Sequence, residues 1–171
     1  MLKPALLLLG VVVAIVLAVV LVGYALPQSH VASSGAVFSA PPATIFSTLQ
    51  DVDRYPSWRS DVQTIDVIAR SPHLRWREQG SNGTITFEMQ EVRSPSRLMT
   101  RITDRSLPFG GTWTYEVSPH EAGARLTITE NGEVYNPVFR FMSRFVFGHT
   151  ATMDTFLADL RAHLQKDGRK P

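Results

Sequence analysis

Three side chains that can accept or donate a proton lie at positions where the surrounding pattern predicts apolar residues or a buried face. Glu130 has the same strand parity as Leu126 and Ile128, and His149 lies in the middle of an apolar helical stripe. Tyr115 belongs to the inward face of another predicted strand. Carboxylates, imidazoles and phenols are groups that enzymes use in general acid–base catalysis. Tyr115, Glu130 and His149 are therefore the candidate catalytic residues.

Each of these positions also has an ordinary structural explanation. A lone histidine on an apolar face usually bonds to a neighbour, and this explanation is favoured for His149. Glu130 would leave the inward face if Asn131 and Gly132 formed a β-bulge that reset the strand parity. The sequence leaves both alternatives open.

A larger set of inward-facing residues could surround a ligand. Large apolar side chains are core residues by default, but an apolar pocket with a few convergent polar groups suits a small amphipathic molecule. Strand parity and helical spacing select Trp76, Phe87, Met89, Thr100, Trp113, Tyr115, Glu130, Met142, Phe145, His149 and Met153 as ligand-binding candidates.

Other kinds of site are not indicated. The sequence has no Gly-x-Ser-x-Gly, His-Glu-x-x-His, phosphate-loop or Gly-x-Gly-x-x-Gly motif. Its five histidines have no metal-ligand spacing, and His30 falls in a predicted linker. With no cysteine, the chain has neither a disulfide nor a thiolate metal site. We expect no metal and no cofactor.

The charges do not favour nucleic acid as a partner. After residue 34 the chain carries all 15 acidic residues and 16 of the 17 basic ones, a balance near +1 without a basic cluster. Arg140 and Arg144 form an i,i+4 pair beside the apolar stripe. Such a pair is usually solvated, although at a cavity mouth it could hold a phosphate or carboxylate head group.

The candidate residues need a sheet and a helix to position them. Alternating polarity predicts strands around 65–67, 74–76, 85–89, 98–102, 113–117 and 126–128, after a short strand at 36–38 and a helix opened by two prolines. Short turns between the strands indicate antiparallel pairing. Asn136 and Pro137 open a predicted helix that runs to about Gln165, in which Gly148 is a close-packing point or a kink. The fold class is α+β, a curved antiparallel sheet wrapped around one long C-terminal helix.

The charged stretch "DVDRYPSWRSDV", residues 51–62, is interpreted as a structural corner. Tyr55-Pro56 ends a helical region, since the residue before a proline is pushed out of the α conformation, and Trp58 anchors the turn. Its charged residues are predicted to form a solvated rim of little individual worth. They are Asp51, Asp53, Arg54, Arg59 and Asp61.

The first 26 residues differ from the rest and are predicted to be a transmembrane anchor. Residues 5–26 carry no charge and would reach about 33 Å as a helix, enough to cross a bilayer core of about 30 Å. A cleaved signal peptide is the alternative, although its apolar region is usually shorter. Lys3 favours a cytoplasmic N-terminus with the rest of the chain extracytoplasmic. The anchor would be followed by a linker at 27–35, a domain at 36–166 and a polar tail at 167–171.

Two stretches carry a family resemblance. "FSAPPATIFSTLQDVDRYPSWRSDV" and "RLTITENGEVYNPVFRFMSRFVFG" resemble the opening and the close of the START-like (SRPBCC, helix-grip) superfamily, in its polyketide cyclase and lipid-transport-like branch. The resemblance implies a helix-grip fold with a cavity that often takes a lipid, sterol or aromatic ligand. It does not fix a function, because carriers, enzymes and partner-binding modules share this fold.

Three functions remain compatible with the sequence. The leading expectation is a membrane-anchored domain that binds a hydrophobic or amphipathic, lipid-like molecule without turnover. The first alternative is a cyclase- or dehydratase-like enzyme in which His149, Glu130 or Tyr115 moves protons. The second is a protein-interaction or envelope-stress module with a filled core.

Overall fold

The computed structural model describes residues 2–167. The predicted tail at 167–171 lies, from residue 168 onward, outside the described residues. The helices are α1 (Leu2–Ala25), α2 (Pro42–Gln50), α3 (Pro137–Met142) and α4 (Ala151–Asp167), with a 3₁₀ turn at Val52–Ser57 and a π-helical turn at Ser143–Phe147. The strands are β1 (Ser29–Phe38), β2 (Val62–Ala69), β3 (Arg75–Gly80), β4 (Gly83–Arg93), β5 (Arg97–Ile102), β6 (Phe109–His120) and β7 (Gly123–Val134).

All seven strands form one curved antiparallel sheet in the order β1-β7-β6-β5-β4-β3-β2. Its inner face is covered by α2 and α4, which contribute the fully buried Ile45, Leu49, Met153 and Leu160. The period-2 pattern explains this arrangement, because every second side chain of a strand points to the same face. The predicted α+β helix-grip fold is confirmed.

Strand β1 begins earlier than the sequence suggested. It pairs with β7 from Ser29 opposite Glu133 to Phe38 opposite Ala124, so the expected linker at 27–35 is wrong for residues 29–35. The pairing covers the edge of β7, whose backbone groups would otherwise lack partners on that side. Only residues 26–28 separate α1 from the sheet.

The predicted long C-terminal helix is interrupted. Asn136 caps α3 as expected, because its Oδ1 accepts hydrogen bonds from the backbone of Val138 at 2.9 Å and of Phe139 at 3.2 Å. The π-helical turn follows, and Gly148 then has φ +74 and ψ 171. This backbone conformation is almost exclusive to glycine and cannot belong to an α-helix. The expectation of one continuous helix is therefore wrong.

The interruption changes where the predicted apolar stripe points. A π-helical turn holds more residues than an α-helical one, so the spacing of 3 and 4 loses its register there. Phe145, predicted to face inward, is 60% exposed, and Met142 is half-buried. Met153, beyond the break, is fully buried in the core.

Helix α3 packs against the end of α1. Arg140 is buried and donates hydrogen bonds to the backbone oxygens of Leu26 and Tyr135, both at 3.0 Å. The expectation that Arg140 is solvated, or holds a head group together with Arg144, is therefore wrong. The Arg140 guanidinium is bonded instead to backbone oxygens just after α1 and just before α3, whereas Arg144 is exposed.

Candidate functional site

A cavity of about 650 Å³ lies between the inner face of the sheet and the segment that joins α3 to α4. All seven strands contribute lining residues, among them Ile85 and Ile102. The helical side contributes Phe139, Ser143 and the residues that follow Gly148. Its wall is mostly apolar, and its polar groups fall into two clusters.

Six of the predicted ligand-binding residues line this cavity: Phe87, Thr100, Trp113, Tyr115, Glu130 and His149. The other five do not. Trp76, Met89 and Met153 are buried in the core, Met142 is half-buried outside the cavity lining, and Phe145 is exposed. Parity thus selected the correct face of the sheet, but it could not show which inward residues pack against α2 and α4 and which border open space.

Glu130 is the centre of the first polar cluster. Its Oε2 accepts a hydrogen bond from the Trp113 indole at 2.7 Å, and His30 Nε2 lies 3.1 Å from its Oε1. The ladders on both sides of β7 run through Asn131 and Gly132 without a register shift. The β-bulge alternative is therefore wrong, and Glu130 faces inward.

His149 completes this cluster from the helical side. Its ring stacks on the His30 ring with centroids 4.0 Å apart, and its Nδ1 lies 3.2 Å from Ser143 Oγ. Burial lowers the pKa of His149, the charges of His30 and Arg144 add to the shift, and Glu130 opposes it. His149 is therefore neutral at pH 7.

His30 is a site residue that was predicted to lie in the linker. Counting back in steps of two from the buried Phe38 gives Ala36, Ser34, Ala32 and His30, which alternate with more exposed residues. This alternation is only a weak indication of a strand, because most of the inward positions are occupied by small residues. Proximity to the predicted transmembrane segment favoured a linker at this position.

The second polar cluster is centred on Arg59. Its guanidinium donates to Asp61 through Nε and Nη2, at 3.1 and 2.7 Å, and to Glu78 Oε1 through Nη1 at 3.0 Å. The Trp76 indole donates to the same Glu78 oxygen at 2.9 Å. The side chains of Arg59 and Glu78 are only 10% and 9% exposed.

The prediction of a solvated rim is therefore wrong for Arg59 and Asp61. The turn at Trp58 directs Arg59 inward, where its guanidinium lies 5.1 Å from the Tyr55 ring centre and 5.3 Å from that of Phe156. The prediction describes Asp53 better, because this residue pairs with Arg70 in solvent. Charged side chains of one short stretch thus serve different purposes.

Burial sets the protonation behaviour of the second cluster. It is the largest influence on Glu78 and raises the pKa of that carboxyl, against the charge of Arg59 and the Trp76 hydrogen bond. Burial also opposes the charge of Arg59, but Glu78 and Asp61 outweigh it and hold the pKa of Arg59 above its ordinary value. Burial likewise raises the pKa of Tyr115, so this hydroxyl stays protonated and cannot be a base at neutral pH.

The corner around Trp58 has the packing of a structural element. The Trp58 ring meets Tyr55 and Phe156 edge-on, at centroid distances of 5.4 and 5.3 Å. The Tyr55 hydroxyl donates to the Leu49 backbone oxygen at 2.7 Å and closes the turn. These contacts join α2, the 3₁₀ turn and α4.

The two clusters define what the cavity can do chemically. An apolar chamber between a Glu–His–His group and an Arg–Glu–Asp group can orient a molecule that has an apolar body and polar ends. Glu130 and the neutral imidazole of His149 can exchange protons with such a molecule. Within residues 2–167 no group of three or more His, Asp or Glu side chains is arranged to hold a metal ion.

Solved structures of low sequence identity share this fold. The di-domain aromatase/cyclase StfQ of the steffimycin biosynthetic pathway aligns with a TM-score of 0.67 at 12% identity, over 82% of this chain, which spans about half (52%) of StfQ. The ZhuI aromatase/cyclase of Streptomyces sp. R1128 aligns with a TM-score of 0.67 at 10% identity, over 82% of this chain and 96% of its own. A START superfamily protein of Mycobacterium smegmatis has a TM-score of 0.64 at 15% identity, with coverages of 80% and 98%.

Sequence comparison agrees with the fold. None of the curated proteins matches the chain. Residues 29–165, however, match the family described as polyketide cyclase / dehydrase and lipid transport, and this match begins with β1 and ends in α4. The chain therefore belongs to the polyketide cyclase / dehydrase and lipid transport family.

Proposed function

We propose that this protein is a membrane-anchored domain that binds a hydrophobic or amphipathic, lipid-like small molecule in the cavity between sheet and helices. The observation that carries the proposal is the cavity of about 650 Å³ itself, with apolar walls and two polar clusters. Pockets for small molecules usually measure about 300 to 1,000 Å³ and are lined in this way. A cavity of this size does not favour the interaction module with a filled core.

The proposed anchor is α1. Its segment Pro4–Ala25 has 22 residues, a mean hydropathy of 3.4 in its most apolar window, and no part of that window is buried against the domain. Such a helix is long and apolar enough to span a bilayer. Lys3 supports a cytoplasmic N-terminus and an extracytoplasmic domain, and a signal sequence remains the competing interpretation of the same residues.

Native mass spectrometry of the full chain, extracted from membranes in a mild detergent, tests ligand binding. We expect a co-purifying lipid-like molecule in the wild type and a loss of it in Ile102→Trp, whose larger side chain would project into the cavity and obstruct it. Ile68→Trp is the matched control, because Ile68 is 43% exposed on β2 and lies outside the cavity lining. Equal occupancy in both variants, or none in the wild type, would refute the proposal.

A second candidate function is supported by the Glu130 cluster. A carboxylate bonded to an indole and an imidazole, with a neutral histidine beside it, has the parts of a general acid–base pair. In a dehydration, Glu130 would take a proton from the carbon beside a carbonyl and pass it to the departing hydroxyl, which leaves as water. The two aromatase/cyclase neighbours are compatible with such chemistry.

The catalytic candidate is tested with a β-hydroxy ketone, whose dehydration to a conjugated enone is followed by absorbance. We expect Glu130→Gln to abolish turnover while the purified variant still carries its co-purifying molecule. Thr100→Ser, on the same cavity wall, is the control that keeps a hydroxyl. Equal rates above background in the wild type and Glu130→Gln would exclude Glu130 as the base, and absence of turnover in the wild type would leave binding without turnover as the function.

A further inference from the structure

An exposed apolar surface lies beside the end of α1. We call it the 135–146 surface; it consists of Tyr135, Val138, Phe139, Phe145 and Val146, whose side chains are 44, 41, 50, 60 and 57% exposed. These residues come from α3, its entry and the π-helical turn. Among the side chains described within residues 2–167, eight large apolar ones outside α1 are strongly exposed, and five of these eight lie along this one segment. Exposed apolar side chains scattered singly would be unremarkable.

Packing fixes the 135–146 surface relative to α1. A Cβ added to Gly23 would overlap the Pro137 backbone oxygen, so α1 and α3 approach as closely as glycine allows. Buried Arg140 connects the same two elements through its hydrogen bonds to Leu26 and Tyr135. The surface therefore lies at the level where α1 would leave a bilayer.

The composition of this segment suits a lipid interface. Residues 134–150 contain two arginines and no acidic residue, and aromatic side chains occupy positions 135, 139, 141, 145 and 147. Aromatic rings are enriched at the boundary between lipid tails and water, and exposed cations such as Arg144 interact favourably with anionic head groups. Binding of a protein partner would not require this surface to lie beside α1, whereas binding to the bilayer does.

The opposite side of the segment is a wall of the cavity. Ser143, Gly148 and His149 border the cavity, Phe145 and Val146 are exposed to solvent, and Phe139 contributes to both sides. We propose that the 135–146 surface is seated in the head-group layer of the bilayer that α1 spans, so that this wall of the cavity faces the lipid. The inference rests on the proposed anchoring, and it implies that a ligand enters the cavity from the bilayer through this wall.

Fluorescence quenching in a bilayer tests this placement, and the absence of cysteine from the wild-type chain makes single labels simple. Phe145→Cys reports on the 135–146 surface and Val13→Cys on the middle of α1. Ala122→Cys is the control, because the β6–β7 turn lies at the far end of a ladder that starts at Phe109 and Val134, about 35 Å away along the strands. Each full-length variant carries an environment-sensitive dye and is reconstituted in vesicles of phosphatidylcholine and phosphatidylglycerol with nitroxide-labelled lipids.

We expect nitroxides near the head group to quench the dye at 145 severalfold more than the dye at 122, and nitroxides at the chain end to quench the dye at 13 most. Equal quenching at 145 and 122, with strong quenching at 13, would overturn the docking and leave the anchor intact. Absence of quenching at 13 would overturn the anchor and the docking together. Neither result bears on whether the cavity holds a ligand, which mass spectrometry measures separately.

Discussion

Arg59→Ala is expected to destabilise the protein through the loss of a buried ion pair. It removes a guanidinium whose side chain is 10% exposed and which donates hydrogen bonds to Asp61 and Glu78. Glu78, itself 9% exposed, would keep only the Trp76 indole among these partners. Removing one member of a buried ion pair costs about 3–5 kcal/mol, because the remaining charge stays buried without compensation.

The same corner of the protein offers a matched control. Arg70 pairs with Asp53 at 2.8 Å, close to the distances within the Arg59 cluster, but the two side chains are 65% and 51% exposed. Exposed pairs contribute less than about 1 kcal/mol, so Arg70→Ala should change stability little. Because the donor–acceptor distances of the two pairs are similar, the difference in stability between Arg59→Ala and Arg70→Ala measures the effect of burial.

The loss in Arg59→Ala should also depend on pH. Burial already raises the pKa of Glu78 above its ordinary value of 4.5, and removal of the Arg59 charge raises it further. A carboxyl whose folded-state pKa lies above its unfolded value stabilises the protein less as pH rises between the two values. The deficit of Arg59→Ala relative to the wild type should therefore grow from about pH 4.5 toward neutrality.

Urea denaturation of the full chain in mild detergent, followed by tryptophan fluorescence, measures these differences. Arg59→Met combined with Glu78→Gln should recover part of the loss, because no uncompensated charge then remains on Glu78. Equal stability of Arg59→Ala and Arg70→Ala at neutral pH would refute the reasoning. So would a deficit of Arg59→Ala that shrinks as the pH rises.

Three further predictions concern other parts of the site. Trp58→Ala should destabilise the domain by about 3–5 kcal/mol in the same denaturation assay; a stable variant that fails to bind ligand would instead place function in this corner. Gly148→Ala should cost about 1–3 kcal/mol and alter the release rate of a fluorescent fatty acid in stopped-flow measurements, because its backbone conformation suits only glycine; unchanged stability and rate would contradict this. The NMR titration of His149 should give a pKa below 6.5 that rises in His30→Asn, since the charge of His30 is one cause of the shift. Because the pKa of His149 is lower in the folded protein, the unfolded chain takes up the His149 proton at a higher pH, and this histidine should reduce the stability of the fold as pH falls below 6.5. A measured pKa at or above 6.5 would be inconsistent with the stacked, partly buried position of His149.

The fold was predictable because its signals are local and repeated. Each strand from β2 to β7 carries its own alternation, and the register of a buried face follows from that alternation. The interruption at Gly148 was harder to place, since a glycine at that point is compatible with a continuous helix until the backbone dihedrals are known. The early start of β1 depends on pairing with β7, a partner almost 100 residues away in sequence, for example Ser33 opposite Thr129.

The site was predictable only in part for a related reason. Glu130 and His149 interrupt strong apolar patterns and are conspicuous for that. Arg59 lies in a stretch with charges of both signs, where solvent exposure is the ordinary expectation. Only the path of the turn after Trp58 decides that Arg59 is buried, and side-chain direction in a turn does not follow from a periodicity.

The three residues between α1 and β1 limit the reach of the domain. A connection of this length extends about 10 Å at most, and the backbone of Val134 is already bonded to Gln28 within it, at 2.8 Å. With α1 embedded as proposed, the domain would not sweep a volume above the membrane as a protein on a flexible stalk does. A ligand would be collected from, or returned to, the patch of lipid under the domain, and any soluble donor or acceptor would have to come to the membrane surface to exchange it.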